Sequence, residues 1–159
     1  MPCASSRSSR LVSAAAAVLL LRVPSWDLKT LWVNDDRGND LAGRFIHTGH
    51  GAHGIYPDRE GRRIFLSNRD GGSVSVLDAS SLAIIATWKI PGGGLLDMGG
   101  VTADGSQLWL SGRYNSEVYV FDTSTGAVIK RITVNAGPHG LLVWPQPGSF
   151  SLGHTGNMR

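Results

Sequence analysis

An internal repeat of 44 residues constrains the fold more than any other feature of this sequence. Three pairs of tracts match at this spacing, namely residues 64–67 with 108–111, 73–78 with 117–122, and 84–90 with 128–134. Each tract is short, rich in β-branched or aromatic residues, and bounded by Gly, Asn, Asp or Ser, a pattern typical of β-strands. The chain is therefore predicted to consist of successive units of antiparallel strands.

Four strands fit into each unit. The tract Gly51-Ala52-His53-Gly54 matches Gly137-Pro138-His139-Gly140, and residues 97–101 hold the same place in the middle unit. Each of these tracts leads into apolar residues and adds one strand to the three already present in the repeat. In the middle unit the strands are predicted near residues 99–103, 107–111, 117–121 and 128–134. Four antiparallel strands in about 44 residues are the size of one β-propeller blade.

Four tracts carry the pattern of the repeat, namely LSNRDGGSVSVLDASSLAII, LSGRYNSEVYVFDTSTGAVI, REGRRIFL and ADGSQLWL. In these tracts the units resemble the YVTN-type (YncE-like) β-propeller repeat family of bacteria. The closing stretch GPHGLLVWPQPGSFSLGHTGNMR resembles the C-terminal end of exported members. The resemblance covers residues 27–159 and implies a ring of blades of the WD40/YVTN repeat-like type, often extracytoplasmic and often without an assigned activity.

The predicted fold class is all-β, an incomplete β-propeller of about two to three four-stranded antiparallel blades, not a closed ring. A ring needs about 4–8 blades, and four blades of this length already exceed 159 residues. The first unit is also short, since Leu31 and His53 are 22 residues apart whereas Leu108 and His139 are 31 apart. About one strand and its turn are therefore missing between residues 34 and 44. The alternative is a natural, irregular small β protein.

Open strand edges are expected in such a fragment, and unpaired edges template association between chains. Self-association through these edges is therefore predicted. The last unit is expected to contribute only an innermost strand, at residues 139–144.

The chain is predicted to have three parts: a leader at residues 1–26, the repeat segment at 27–148 and a tail at 149–159. In the leader, two arginines precede an apolar run from Leu11 to Leu21, which is the form of a secretory signal. This run is too short to span a bilayer as a helix. An extracytoplasmic location, periplasmic or secreted, is therefore expected, with a disordered or functionless leader as the alternative.

Charge and cysteine content argue against several partners. The formal charge of +3 comes from Arg7, Arg10 and Arg22, because the remaining residues hold equal numbers of basic and acidic side chains. A nucleic-acid partner is not favoured, since a basic footprint would have to arise from clustering alone. The single cysteine, Cys3, fits no zinc spacing. No cofactor and no membrane span are expected.

The strongest candidate site residues are His53, Asp97 and His139, which recur at one position of successive units. They precede the innermost strands and are therefore expected near the mouth of the propeller channel, where loops from all blades converge. A His–Asp–His arrangement there could bind a ligand or a divalent metal, or transfer protons. The alternative is structural: the histidine fixes the turn by hydrogen-bonding the backbone.

Three further residues are candidates for ligand binding at the same mouth. Arg69 and Arg113 recur after Asn68 and Gly112, where a strand ends, and guanidinium groups suit carboxylates and phosphates. The alternative is a solvated arginine, or one paired with an aspartate such as Asp70. Asn68 completes the tentative ligand-binding set.

Two aspartates, Asp78 and Asp122, open turns in the tracts LDASS and FDTSTG. We expect each side chain to bond its own turn rather than a ligand.

No set of catalytic residues, nucleophile elbow or phosphate loop is present in the sequence. The favoured function is therefore a non-catalytic binding or interaction scaffold for an unknown protein or small-molecule ligand. One alternative is a lactonase-like propeller hydrolase that uses a metal at the channel mouth. A second is nucleic-acid binding through channel arginines.

Overall fold

The structure, a computed structural model, describes residues 20–22, 30–34 and 40–146, with side chains from residue 46 onward. These residues form eleven strands in three antiparallel sheets. No helix long and apolar enough to cross a membrane occurs in this described part. Most of the predicted leader and the whole predicted tail, residues 149–159, lie outside the described residues.

Two of the sheets are four-stranded blades in which sequential strands are neighbours. The first blade contains β4 (Ala52–Pro57), β5 (Arg63–Asn68), β6 (Ser73–Asp78) and β7 (Ile84–Lys89). The second contains β8 (Gly99–Val101), β9 (Gln107–Gly112), β10 (Glu117–Asp122) and β11 (Val128–Thr133). The predicted four-stranded antiparallel blades are thus confirmed, and within the described residues the sheets do not close into a ring.

The first unit forms a shorter sheet of three strands, β1 (Leu20–Arg22), β2 (Thr30–Asn34) and β3 (Asp40–His47). In sequence, β2 matches the second strand of each blade and β3 matches the fourth. They pair directly, with Leu31 opposite Ile46, so this sheet lacks the counterpart of the third blade strand, as the short spacing predicts. β1 lies inside the predicted leader; this part of it is a strand paired with β2.

The main hydrophobic core lies between the two blades. From the first blade it contains Tyr56, Phe65, Val74 and Val76; from the second it contains Val101, Leu108, Leu110, Tyr119 and Phe121; Ile90 and Leu96 come from the connection between the blades. A second cluster covers the other face of the first blade, where Ile46 of β3 packs against Ile64 and Leu66. The inner strands of the first blade are therefore covered on both faces, and the consecutive residues Ile64 to Asn68 of β5 are all buried for that reason.

Close approach of the strands depends on glycine at one point of the second blade. A Cβ atom added at Gly99 would lie 1.7 Å from the carbonyl oxygen of Trp109 on β9. Only glycine therefore allows β8 to pair with β9 at this register.

The expected innermost strand at residues 139–144 is not found. No residue from 134 to 146 is in a strand. The physical reason is that an innermost strand is held by a ladder to the next strand of its blade, and no described strand offers that ladder. Side chains hold the segment instead: the Ser111 hydroxyl donates to the carbonyl of His139 at 2.8 Å, and Gln146 Nε2 donates to the carbonyl of Val101 at 3.2 Å.

Candidate ligand site at the mouth of the blades

One end of the two blades carries the candidate residues. Strand pairing puts Ala52 opposite Asn68 and Gly112 opposite Glu117, so the same ends of both sheets face one direction. We call this end the mouth. It is formed by the loops at residues 48–51, 69–72, 90–98, 113–116 and 134–139.

At the mouth, His53, Asp97 and His139 come together. Nδ1 of His53 lies 3.2 Å from Oδ1 of Asp97, and Nε2 of His139 lies 3.8 Å from Oδ2 of the same carboxylate. Side-chain exposure is 1% for Asp97, 25% for His53 and 50% for His139. One buried carboxylate is thus flanked by two partly exposed imidazoles, each contributed by a different repeat unit.

Two serines explain why these residues meet. In the first blade, Ser67 Oγ accepts from the backbone N–H of Gly54 at 2.8 Å and donates to the carbonyl of Asp97 at 3.0 Å. In the second blade, the N–H of Met98 donates to Ser111 Oγ at 3.2 Å, and that hydroxyl is 2.8 Å from the carbonyl of His139.

Each serine therefore fixes the inner strand of its own blade and the first residue of the next unit. In the repeat, Ser67 and Ser111 occupy matching places at the ends of the tracts 64–67 and 108–111. Their recurrence was the available signal for this role.

Burial makes the Asp97 carboxylate the most unusual group at the mouth. Neither of its oxygens accepts a hydrogen bond of good geometry from the described residues, although the residue is 0% exposed. A buried charge without compensation is costly, and the two imidazoles are the groups placed to compensate it. The backbone at this repeat position is held by the hydroxyls of Ser67 and Ser111.

The two candidate arginines lie on mouth loops that hold the connection between the blades. The carbonyl of Arg69 accepts from the N–H of Leu96 at 3.3 Å, and the N–H of Leu95 donates to Asn115 Oδ1 at 2.7 Å, in the turn that carries Arg113. Nε of Arg69 lies 3.3 Å from Oδ1 of Asp70.

Arg113 is exposed and its guanidinium lies over the ring of Tyr114, 5.7 Å from the centroid. The structure places both arginines at the same end as the His–Asp–His cluster. No direct contact between these guanidinium groups and Asp97 is found among the described residues.

Asn68 belongs to the interior. Its Oδ1 accepts from the N–H of Gly49 at 2.9 Å, and its Nδ2 donates to the hydroxyls of Ser73 and Ser75 at 3.1 and 2.9 Å. The residue is 0% exposed. Because its amide group is bonded to two neighbouring segments, the loop at Gly49 and strand β6, Asn68 supports the mouth from inside the blade and is not part of the proposed site.

The opposite end of the blades has turn-capping aspartates. Oδ1 of Asp78 accepts hydrogen bonds from the backbone N–H and the hydroxyl of both Ser80 and Ser81. These bonds, the Ser81 N–H foremost, lower the pKa of Asp78 to about 2. Asp122 is bonded in the same way by Ser124 and Thr125. The prediction that both aspartates bond their own turns is confirmed.

A divalent metal is one of the ligands that the His–Asp–His pattern predicts for the mouth. Among the described residues, no group of three or more His, Cys, Asp or Glu side chains could hold a metal ion.

Solved structures share this arrangement of strands. Hydrazine synthase from Kuenenia stuttgartiensis is 26% identical over 67% of this chain and 30% of its own, with a TM-score of 0.56. AztD from Citrobacter koseri is 10% identical over 76% of this chain and 33% of its own, with a TM-score of 0.58. KlHsv2 with loop 6CD replaced by a Gly-Ser linker is 14% identical over 79% of this chain and 43% of its own, with a TM-score of 0.61.

This chain therefore spans less than half the length of each of these structures. No curated protein matches it in sequence. A family model does match, that of the YNCE-like β-propeller, and it covers residues 14–147. The match begins within the predicted leader, as does β1. With the blade topology and the repeat in agreement, the chain belongs to the YNCE-like β-propeller family.

Proposed function

We propose that this chain is a non-catalytic binding module whose ligand lies over the imidazoles of His53 and His139 at the mouth. One observation carries the proposal: a single position in three successive repeat units supplies side chains that meet around a buried carboxylate. Propeller blades present their loops at the ends of the strands, so a ligand at the mouth can contact several units at once.

His53, Asp97 and His139 differ in side-chain exposure, and this difference supports distinct roles for them. Asp97 is covered, so a ligand would contact the imidazoles rather than the carboxylate. A carboxylate beside a ring nitrogen fixes the orientation of the imidazole. In this arrangement Asp97 is a positioning residue, and the two histidines make the contact.

The hydrolase alternative is less well supported by the side chains at the mouth. An acyl-transfer or metal-dependent mechanism needs a nucleophile or a set of metal ligands beside the histidine. Ser67 and Ser111 are buried and committed to backbone groups, so neither supplies a nucleophile. The nucleic-acid alternative loses support because Arg69 is already paired with Asp70.

We further propose that the module works outside the cytoplasm. The proposal rests on the basic start and short apolar run of residues 1–26 and on the resemblance to exported family members. N-terminal sequencing of the protein recovered from the periplasm or medium would test it; recovery of the uncleaved chain from the cytoplasm alone would contradict it.

Nuclear magnetic resonance on the isotopically labelled full chain tests the binding role. The probes are citrate, ethylammonium, maltotriose and a short oligothymidine, which represent an anion, a cation, a neutral sugar and a nucleic acid. We expect at least one probe to shift the amide resonances of residues 49–54 and 94–99 in the wild type and to lose this effect in His139→Ala.

The matched control is His50→Ala, which removes another exposed mouth imidazole that lies 3.7 Å from Asp70, outside the cluster. It should leave the response unchanged. Two results would overturn the proposal: no probe shifts the mouth resonances, or the chain hydrolyses δ-valerolactone at a rate that falls in His139→Ala.

A further inference from the structure

The charges of the described side chains are separated along the strand direction. The acidic residues at the mouth are Asp70, Asp97 and Glu117, and those at the opposite end are Asp58, Glu60, Asp78, Asp104 and Asp122. The cationic residues at the mouth are Arg69, Lys89, Arg113 and Arg131, joined by His50, His53 and His139, and those at the opposite end are Arg59, Arg62 and Arg63. The remaining cation, Lys130, lies between the two ends, in the middle of β11 opposite Val120. The mouth is thus the less acidic end of the blades.

The acidic groups at the mouth are also withdrawn from solvent or already paired. Asp97 has a side-chain exposure of 1%. Glu117 accepts from Arg131 Nη2 and from the Tyr119 hydroxyl, both at 2.7 Å. Asp70 lies between Arg69 and His50, at 3.3 and 3.7 Å. None of the three carboxylates is left as a free negative group facing a ligand.

The exposed donors at the mouth are cationic or neutral N–H groups. Arg113 is exposed and makes no ion pair with a described residue, and its contact with Tyr114 leaves the guanidinium open to a ligand. The imidazoles of His53 and His139 are the exposed part of the buried cluster. Guanidinium and imidazole N–H groups donate to carboxylate and phosphate oxygens, and such charge-assisted bonds are the stronger ones.

From this arrangement we propose that the ligand at the mouth is a small organic oxyanion that carries carboxylate or phosphate groups. The inference rests on the proposed binding role and names its ligand class. His53 and His139 contact one part of the anion, and the Arg113 guanidinium, on the neighbouring turn of the second blade, contacts another. A nucleic acid is less favoured, because the exposed donors are few and lie at one end of the blades, whereas strong phosphate-backbone binding needs many cations along a track.

Isothermal titration of the full chain with citrate and, separately, with glycerol 3-phosphate tests the proposal. Both probes carry the required oxyanions, and the stronger one identifies the preferred group. We expect Arg113→Gln and His139→Gln each to weaken binding by about three- to tenfold, the usual effect of one exposed charged contact. Arg62→Gln is the matched control, since Arg62 is an exposed arginine with 77% exposure at the opposite end. It should leave both affinities unchanged.

The outcomes separate this inference from the proposed function. Binding of ethylammonium or maltotriose at the mouth, without binding of either anion, would contradict an oxyanion as the ligand. It would still support the proposed binding function. Oligothymidine that binds more tightly than both small anions, with a steep dependence on salt, would assign the cluster to nucleic acid instead. Failure of every probe would overturn both proposals.

Discussion

At the scale of single residues, the recurring serine explains more of the site than the recurring histidine does. Ser67 and Ser111 each hold the backbone at the start of the next unit through one hydroxyl. Because that position is fixed by its carbonyl, its side chain can change between units without loss of the turn. Histidine, aspartate and histidine therefore occupy equivalent places, and the aspartate lies between the other two.

The turn aspartates give a prediction about single-residue titration. The Ser124 hydroxyl is the largest cause of the lowered pKa of Asp122, which is about 2 instead of 3.8. Ser124→Ala should therefore raise the pKa of Asp122 toward 3.8. A carbon-detected magnetic resonance titration of the aspartate carboxyl groups measures this directly. Asp78, at the equivalent turn, keeps its own serines and should still titrate at about 2.

The sign of the accompanying change in stability follows from linkage. The folded pKa of Asp122 lies below its unfolded value, so the turn stabilises the fold above a pH of 3.8. That contribution is lost as the pH falls through about 2. Ser124→Ala should narrow the pH range over which this stability is lost, because the folded pKa of Asp122 moves toward 3.8. An unchanged titration of Asp122 in the variant would contradict the Ser124 hydroxyl as the cause of the lowered pKa.

At the scale of strands and sheets, the repeat made most of the fold predictable. Strands buried on both faces, such as β5 and β10, carry consecutive apolar residues, Ile64 to Leu66 and Val118 to Phe121, and have turns at both ends. Both properties are local in sequence. The short spacing between residues 34 and 44 predicted that one strand and its turn are missing there, and β2 pairs directly with β3 in the structure. By contrast, residues 139–144 have the composition of a strand but lack a neighbouring strand, and such a partner cannot be deduced from a local pattern.

The site was predictable only in part, because contacts depend on side-chain direction. The repeat placed His53, Asp97 and His139 at equivalent positions, and their meeting follows from the stacking of the units. Nothing in the residue types distinguished Asn68, which is buried, from Arg113, which is exposed, although both come at strand ends. That difference is set by which loop covers each strand end.

An aromatic contact between the blades gives the prediction at this scale. The Trp88 ring, on β7, lies 5.2 Å from the Phe65 ring and 6.2 Å from the Phe121 ring of the second blade. Trp88→Ala should lower the free energy of unfolding by about 3 kcal/mol, as expected for removal of a large packed aromatic side chain. Urea denaturation followed by circular dichroism measures the loss.

The matched control is Trp144→Ala, because Trp144 is 74% exposed. This variant should change the free energy of unfolding by no more than about 0.5 kcal/mol. Equal losses in the two variants would show that Trp88 does not hold the blades together.

At the scale of the whole molecule, charge separation arises from topology rather than composition. Residues 46–146 contain as many acidic as basic side chains, so their net charge does not show that the two ends of the blades differ in charge. The antiparallel order of the strands then sends alternate turns to opposite ends, and the acidic turns with Asp78, Asp104 and Asp122 share one of them. This strand order therefore gives the blades one acidic end and one less acidic end, the mouth. An anion approaching the mouth meets less electrostatic repulsion than at the opposite end.

Open surfaces of the whole chain predict self-association. The segment beside the second blade exposes Leu142 and Trp144 at 62% and 74%, and its backbone has no strand partner among the described residues. Exposed apolar side chains next to unpaired backbone favour contact with another copy. Light scattering coupled to size-exclusion chromatography should give an average mass that rises with protein concentration.

The double variant Leu142→Ser with Trp144→Ser should reduce this rise, because it removes the two most exposed large apolar side chains of the described residues. Ile85→Ser is the control, since Ile85 is 56% exposed but lies on the outer strand β7, away from that segment. A stronger effect of Ile85→Ser would place the contact at β7, which forms one edge of its sheet. A monomeric mass at every concentration would contradict association altogether and would indicate that segment 139–146 covers the second blade well enough by itself.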